Sequence, residues 1–279
     1  MPGDVFRFIN DLDETTVSRL ADRLEFRATD AGFVSLREAS LASLPLSTAR
    51  RVLALGCGTG VEVRALRRHP EFHGELVGVD HSPYLIAKAR RLTVEEGLAA
   101  GIEYRVGDAH ALDLPDGGFD LVLAHTLVSH VADPLAVVKE AHRVVASGGM
   151  VEIFDGDYAS MTFAHPDHAL AERVEKAMLD VLVNNPRVMR DLPWLLREAG
   201  LELVEATAHA YADIGVGGFF ANVVESFGGP LLVEAGLLPA ADLERWLSWQ
   251  TGALAAGTFF GAANFYSYLA RRPAPAAGA

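Results

Sequence analysis

A single cysteine, Cys57, stands in the whole chain, so no intramolecular disulfide can form and a secreted, cross-linked scaffold is excluded. A reducing, cytoplasmic setting is the expectation. Positive charge is also in short supply. Lys and Arg number 24 against 37 Asp and Glu, and the formal charge of −13 repels a phosphate backbone unless a local basic patch overcomes that field. Nucleic acid is therefore not expected as a partner. The opening MPGDVFRFINDLDE lacks a basic stretch leading into an apolar run, which predicts neither secretion nor organelle import. Long hydrophobic runs are scarce too. Trp246 to Ala270 carries no charge, yet Gln250, Thr251, Thr258, Asn264 and Ser267 interrupt it, so a short helix followed by a buried strand is expected rather than stable membrane insertion.

What the chain does have is apolar material. Half of its 279 residues are hydrophobic, enough for one large core with or without a cap. Val17, Leu20 and Leu24 recur at helical spacing behind the acidic stretch Asp11 to Glu14, predicting a helix over 14–28, and a second is expected over 34–43. From Arg51 onward strands and helices alternate. Short apolar runs at 51–55, 75–80, 102–107, 119–124 and 150–155 read as buried parallel strands, and Ser82-Pro83 and Asp133-Pro134 read as capped helix starts. A helix over 188–199 ending at Gly200, and a strand over 201–206, follow. The organisation expected is an N-terminal helical cap (1–45), an α/β core (46–211), a helical insertion (212–257), a last core strand (258–271) and a frayed tail (272–279). Such alternation implies a doubly wound parallel sheet that binds ligands at the carboxyl ends of its strands.

The most informative stretch is Val52-Leu53-Ala54-Leu55-Gly56-Cys57-Gly58-Thr59-Gly60, a strand running into a G-x-G-x-G turn. Positions without side chains let backbone amides approach an anionic or polar ligand at a helix N-terminus. The next strand ends in Asp80, where a carboxylate can grip ribose. Dinucleotide binding wants G-x-G-x-x-G, and here Gly60 comes one residue early. A phosphate loop ending in Gly-Lys-Ser/Thr is absent.

The segments VLALGCGTG, GVDHSP, GDAHALDLPDGGFDLVLAHTLVSHV and RVVASGGMVEIFDGD resemble, in order and spacing, the class I S-adenosylmethionine-dependent methyltransferases, over roughly residues 50–157. Within them the chain looks most like the branch holding the ubiquinone and menaquinone biosynthesis methyltransferases. The resemblance implies a Rossmann-like sheet and S-adenosylmethionine as cofactor. It also implies that Gly56, Gly58 and Gly60 line the methionine portion, that Asp80 holds the ribose hydroxyls, that His81 lies beside the adenine, and that Asp108 and the backbone of Ala109 meet the adenine amino group. One departure matters. Members usually carry an acid two residues before the first glycine, where this chain has Ala54, so another group holds the cofactor's ammonium or affinity falls. Arg27 is placed to engage the cofactor carboxylate, against the plainer reading of a solvated helix face.

Methyl transfer needs an in-line approach and exclusion of water, and a base only where the acceptor loses a proton. His125, ending the fourth strand, is the first candidate base; a histidine that merely braces a loop is the alternative. Asp155 and His130 are the further catalytic candidates at the same rim. His165 and His168 with Asp157 and Asp167 lack a third ligand fixed by sequence, so no metal site is assigned. Phe219, Phe220, Phe227, Trp246, Trp249, Phe259 and Phe260 are ordinary core or, in an insertion opposite the N-terminal helices, the roof of a cleft for an apolar or aromatic small-molecule acceptor. The expectation is methylation of an oxygen or carbon of such a molecule. A homodimer is left open. The alternatives are a protein of the same fold that binds S-adenosylmethionine for a non-methylating reaction or as a non-catalytic subunit, a nicotinamide-dependent oxidoreductase, and a macromolecular methyltransferase.

Overall fold

The computed structural model describes residues 4–274. Among the described residues, seven strands form one mixed sheet: β1 (Arg51–Leu55), β2 (Glu75–Asp80), β3 (Ile102–Val106), β4 (Phe119–His125), β5 (Val145–Phe163), β6 (Glu202–Ile214) and β7 (Phe260–Arg271), in the order β3-β2-β1-β4-β5-β7-β6. The first five run parallel, and β7 is inserted antiparallel between β5 and β6. Strand order reverses between β1 and β4, so their carboxyl ends diverge and leave a crevice.

Local chemistry sets the helix starts. The Asp13 carboxylate accepts from the Thr16 amide to open α1 (Glu14–Thr29), and that of Asp30 accepts from Gly32 and Phe33 to open α2 (Ala31–Leu41) three residues earlier than expected. α3 (Val61–Arg68) springs from the glycine turn. α4 (Pro83–Glu95) and α5 (Pro134–Val144) begin at the Ser82 and Asp133 caps with proline in the first turn, as expected. α6 (His168–Leu182) is capped by Asp167, and α7 (Val188–Glu198) closes at Gly200 in the left-handed region. The segment between β6 and β7 holds α8 (Phe219–Asn222), a π-helical turn (Val223–Gly228), α9 (Gly229–Glu234) and α10 (Ala240–Ala255). Among the described residues, no helix is long and apolar enough to cross a membrane.

Several expectations need correction. β5 and β6 run well past 155 and 206, because each pairs with the long β7 as far as Phe163 and Ile214. The polar triplet Asp155-Gly156-Asp157 does not end the strand; Asp157 still pairs with Asn264. The tail is not frayed from its start. Arg271 belongs to β7, and the Arg272 guanidinium donates to the carbonyls of His142, Arg143 and Val145, while 275–279 lie outside the described residues. Phe33 and Leu36 of α2 share one buried cluster with Phe219, Phe220, Trp246 and Phe259, so the β6–β7 insertion packs against α2.

Candidate active site

The crevice holds a cavity of about 370 Å³. Its floor begins with the glycine turn. Gly56 and Gly58 adopt φ of 60° and 53°, and a Cβ on Gly56 would come within 2.5 Å of Leu127 Cδ1, so both the backbone conformation and the packing require glycine there. The Gly58 amide donates to Asp80 Oδ2 at 2.8 Å and the Ser82 amide to Oδ1 at 2.9 Å. Asp80 thus fastens the turn to the end of β2 while still lining the cavity. Burial holds its carboxyl above the usual carboxylate range, against the amides that favour its charge. Gly60 is the exception among the three glycines: it is not among the cavity residues, and its φ of 81° serves instead to open α3. Cys57 is buried, and its burial pushes the thiol well up, which is the state of an inert packed side chain.

Further along the rim, His81, Asp108 and Ala109 line the cavity. The imidazole Nε2 of His81 lies 3.2 Å from the Phe6 carbonyl, which draws the N-terminal segment over this end. Asp108 Oδ1 accepts from the His110 amide and faces its ring Nδ1 at 2.6 Å. Although partial burial opposes it, these contacts hold the Asp108 carboxyl below its ordinary value. Its other oxygen keeps its hydrogen-bonding capacity.

His125 stands at the end of β4 on the cavity wall. Leu123 pairs with Glu152 across the β4–β5 ladder, and period-two alternation puts His125 on the same face as that glutamate. His125 Nε2 lies 2.6 Å from Glu152 Oε2, and Ser40 of α2 donates to Glu152 Oε1. Both members of the pair are buried. Burial alone would depress the imidazole, but the Glu152 charge and hydrogen bond outweigh it and raise His125 above an ordinary histidine. Nδ1 of His125 makes no hydrogen bond among the described residues. The next residue, Thr126, has a φ of 49°, the lone non-glycine in the left-handed region among the described residues. Backbone strain therefore sits beside the candidate base.

Two other sequence candidates differ in standing. His130 reaches the cavity, with Nδ1 2.7 Å from Asp4 Oδ2; Asp4 also accepts from the amides of Phe6, Arg7 and Asn184. Asp155 does not line the cavity. It is fully buried, accepting from the Ser129 amide and hydroxyl and from the Gly156 amide, and burial lifts its carboxyl above the usual range. These bonds brace the turn that carries His130. His165 stacks on Trp246 with centroids 5.1 Å apart, Asp167 caps α6, and Asp157 pairs with Arg190, so the structure does not gather them.

Arg27 is not on a solvated face. Half-buried, it lines the cavity, donates to Thr126 Oγ1 at 2.9 Å and lies 4.5 Å from the Phe33 ring centroid. Glu62, unremarked in the sequence, is a carboxylate that the cavity holds although position 54 carries none. It lines the cavity from the first turn of α3 and makes no hydrogen bond or ion pair among the described residues. Ala54 itself lies in the closed core with Val52, Val63 and Leu123, away from the cavity. A carboxylate outside that core was findable: acids directly after the glycine turn were the places to look. Glu152 carried a plainer signal, a lone charge inside the apolar run Met150-Val151-Glu152-Ile153-Phe154, which demands a buried partner.

The cavity fits S-adenosylmethionine by its chemistry. Its lining joins a bare glycine turn, which leaves backbone amides open, to three carboxylates, Glu62, Asp80 and Asp108, that can accept from the hydrogen-bond donors of an amino-acid nucleoside.

Comparison with known proteins agrees. A methyltransferase domain model matches residues 53–153. An uncharacterized 37.1 kDa protein in transposon TN4556 of Streptomyces fradiae is 31% identical over 264 residues, covering 92% of this chain and 73% of that one. The phosphatidylethanolamine N-methyltransferase of Cereibacter sphaeroides is 41% identical over 128 residues, 46% of this chain and 58% of the enzyme. Among solved structures, a Bacillus halodurans C-125 protein assigned to the methyltransferases superposes with a TM-score of 0.60 at 20% identity, covering 86% of this chain and 99% of that one. The sheet order and the glycine turn define a Rossmann-like nucleoside-binding fold. The chain belongs to the class I S-adenosylmethionine-dependent methyltransferases, enzymes whose methyl donor is S-adenosylmethionine.

Proposed function

We propose that this chain methylates an oxygen or carbon of a small, largely apolar molecule, with His125 taking the acceptor's proton. The observation that carries the reading is the shape of the crevice. Phe6, Leu24, Arg27 and His130 border both the cavity that holds the glycine turn and His125 and a smaller adjoining annexe walled by Tyr158, Phe219, Phe227 and Phe265. Polar groups collect at the donor end and aromatic ones at the other.

When bound, S-adenosylmethionine supplies the methyl group from its sulfonium. Gly56 and Gly58 would lie along its methionine portion, Glu62 at its ammonium, Arg27 at its carboxylate, Asp80 at its ribose, and His81, Asp108 and Ala109 around its adenine. Glu152, accepting from Nε2, fixes the His125 tautomer whose Nδ1 lone pair can take a proton, and its charge then balances the imidazolium. Phe6, held by Asp4 and His81, keeps water from the mouth.

The test is calorimetry with S-adenosylhomocysteine, followed by labelled donor and a panel of apolar phenols, enols and small hydrophilic amines. Binding with transfer to the apolar acceptors is expected. No binding refutes the site, and transfer confined to hydrophilic amines refutes the acceptor class.

A further inference from the structure

The chain carries a strong negative excess, yet the N-terminal helices bring three cations to the crevice without anionic partners. Arg23, Arg27 and Arg37 are half-buried, and none lies within ion-pair distance of a carboxylate among the described residues. Their contacts are neutral. Arg23 donates to the Asn222 side chain at 3.0 Å and sits 4.2 Å from the Phe227 centroid and 5.3 Å from that of Phe219; Arg37 reaches only the Ala28 carbonyl, at 3.4 Å. Elsewhere the same helix pairs its charges, as in Glu25 with Arg64 and Asp22 with Lys88. The acids of the cavity, Glu62, Asp80 and Asp108, come from α3 and the ends of β2 and β3, so charge is segregated by element across the crevice.

Arg23 and Arg27 are four residues apart on α1 and therefore share a face, where like charges repel. Burial, and secondarily Arg27, pull the Arg23 guanidinium down to about 10. A desolvated cation facing another cation is a standing cost that an arriving anion removes. The donor brings one carboxylate, which Arg27 can take beside the glycine turn. Arg23 lines the annexe and not the donor cavity, and Tyr158, whose hydroxyl has no hydrogen-bond partner among the described residues, lines the annexe with it.

We propose that the acceptor is an acidic amphiphile: an apolar or aromatic body seated against Phe219 and Phe227, with a carboxylate or phosphate head read by Arg23 and Tyr158. This rests on the methyltransferase reading and narrows its substrate class. Guanidinium recognises either head by paired N–H donors, and the aromatic rings that now face Arg23 become the wall for the apolar body.

The experiment is calorimetry on the full chain with and without S-adenosylhomocysteine, using 2-naphthoate, 2-naphthyl phosphate and the neutral 2-naphthamide. One of the two anions is expected to bind at least about tenfold tighter than the amide, the tighter one naming the head group. In Arg23→Met the preference should fall below about threefold, and Arg23→Lys should recover part of it, while S-adenosylhomocysteine affinity stays within about twofold of the parent. Equal binding of amide and anions, no binding by any of the three, or a preference unchanged in Arg23→Met overturns the proposal. So does a loss of S-adenosylhomocysteine affinity in Arg23→Met matching the loss of anion affinity, because the arginine would then serve the donor. If S-adenosylhomocysteine gives no heat with the parent, the donor site has failed, and the arms run without it still decide the anion question.

Discussion

His125 Nε2 lies 2.6 Å from Glu152 Oε2 across the β4–β5 ladder, and Ser40 of α2 holds the other carboxylate oxygen. A raised imidazole is charged at neutral pH in larger fraction than a free one, so its service as a base grows as pH rises. Turnover should climb through an apparent pKa above about 6.5, and Glu152→Gln should move that limb to lower pH. The stability consequence has the opposite slope. A histidine raised on folding adds stability that is full below its unfolded value near 6.5 and is lost as pH rises through its folded one. Melting of the parent should therefore weaken relative to Glu152→Gln over that window. A limb unmoved by the substitution removes the pair from the chemistry.

Glu62 has a different task, and its test is on binding alone. Glu62→Gln should weaken S-adenosylhomocysteine by about tenfold, the loss of one charge-assisted contact. Methylthioadenosine, which has no amino-acid portion, should bind both forms equally. A parallel loss for both nucleosides would place the effect in the folding of the glycine turn instead. Direct binding of each ligand by calorimetry separates the two outcomes.

How much of this was legible in advance follows from what each residue depends on. The glycine turn, Asp80 and the capped starts at Ser82 and Asp133 are local patterns, and the structure keeps them. For Asp155 the sequence does not show which way the side chain faces; only the Ser129 turn folding back onto it shows that both its oxygens accept hydrogen bonds away from the cavity. For Arg27 the sequence leaves two readings, a contact to the cofactor carboxylate and a solvated helix face, because it does not reveal that Phe33 of α2 packs over the guanidinium. Ser40 acts on Glu152 across elements more than a hundred residues apart, and no local spacing announces it. The long β5–β7 pairing was hidden for the same reason: its partner strand arrives about a hundred residues later, beyond the reach of periodicity.

Asp155 gives the contrast to His125. Asp155→Asn replaces an acceptor-only group with one that turns an amide NH2 toward donors, leaving the Ser129 or Gly156 amide unsatisfied at a cost of about 1–3 kcal/mol. Chemical unfolding should show this loss. The pH dependence of turnover should keep the shape of the parent's, since the carboxylate does not reach the cavity. A shifted limb in Asp155→Asn would return it to the list of groups that handle the acceptor's proton.

The N-terminal segment is held to the site chiefly by one carboxylate. Asp4 accepts from the Phe6, Arg7 and Asn184 amides and faces His130 Nδ1, joining the segment to the turn after β4 and to the loop after α6. Asp4→Ala strands these donors in partly buried positions, and a stability loss of about 1–3 kcal/mol is expected. Because Phe6 and Arg7 line the cavity, the functional effect should be on ligand exit. S-adenosylhomocysteine should dissociate several-fold faster while associating at nearly the parent rate, which stopped-flow fluorescence of the bound and free forms would report. Limited proteolysis should cut the segment ahead of α1 sooner in Asp4→Ala than in the parent, with the ligand protecting the parent alone. Equal dissociation rates would show that the His81–Phe6 and His81–Asn10 contacts suffice to keep the mouth closed.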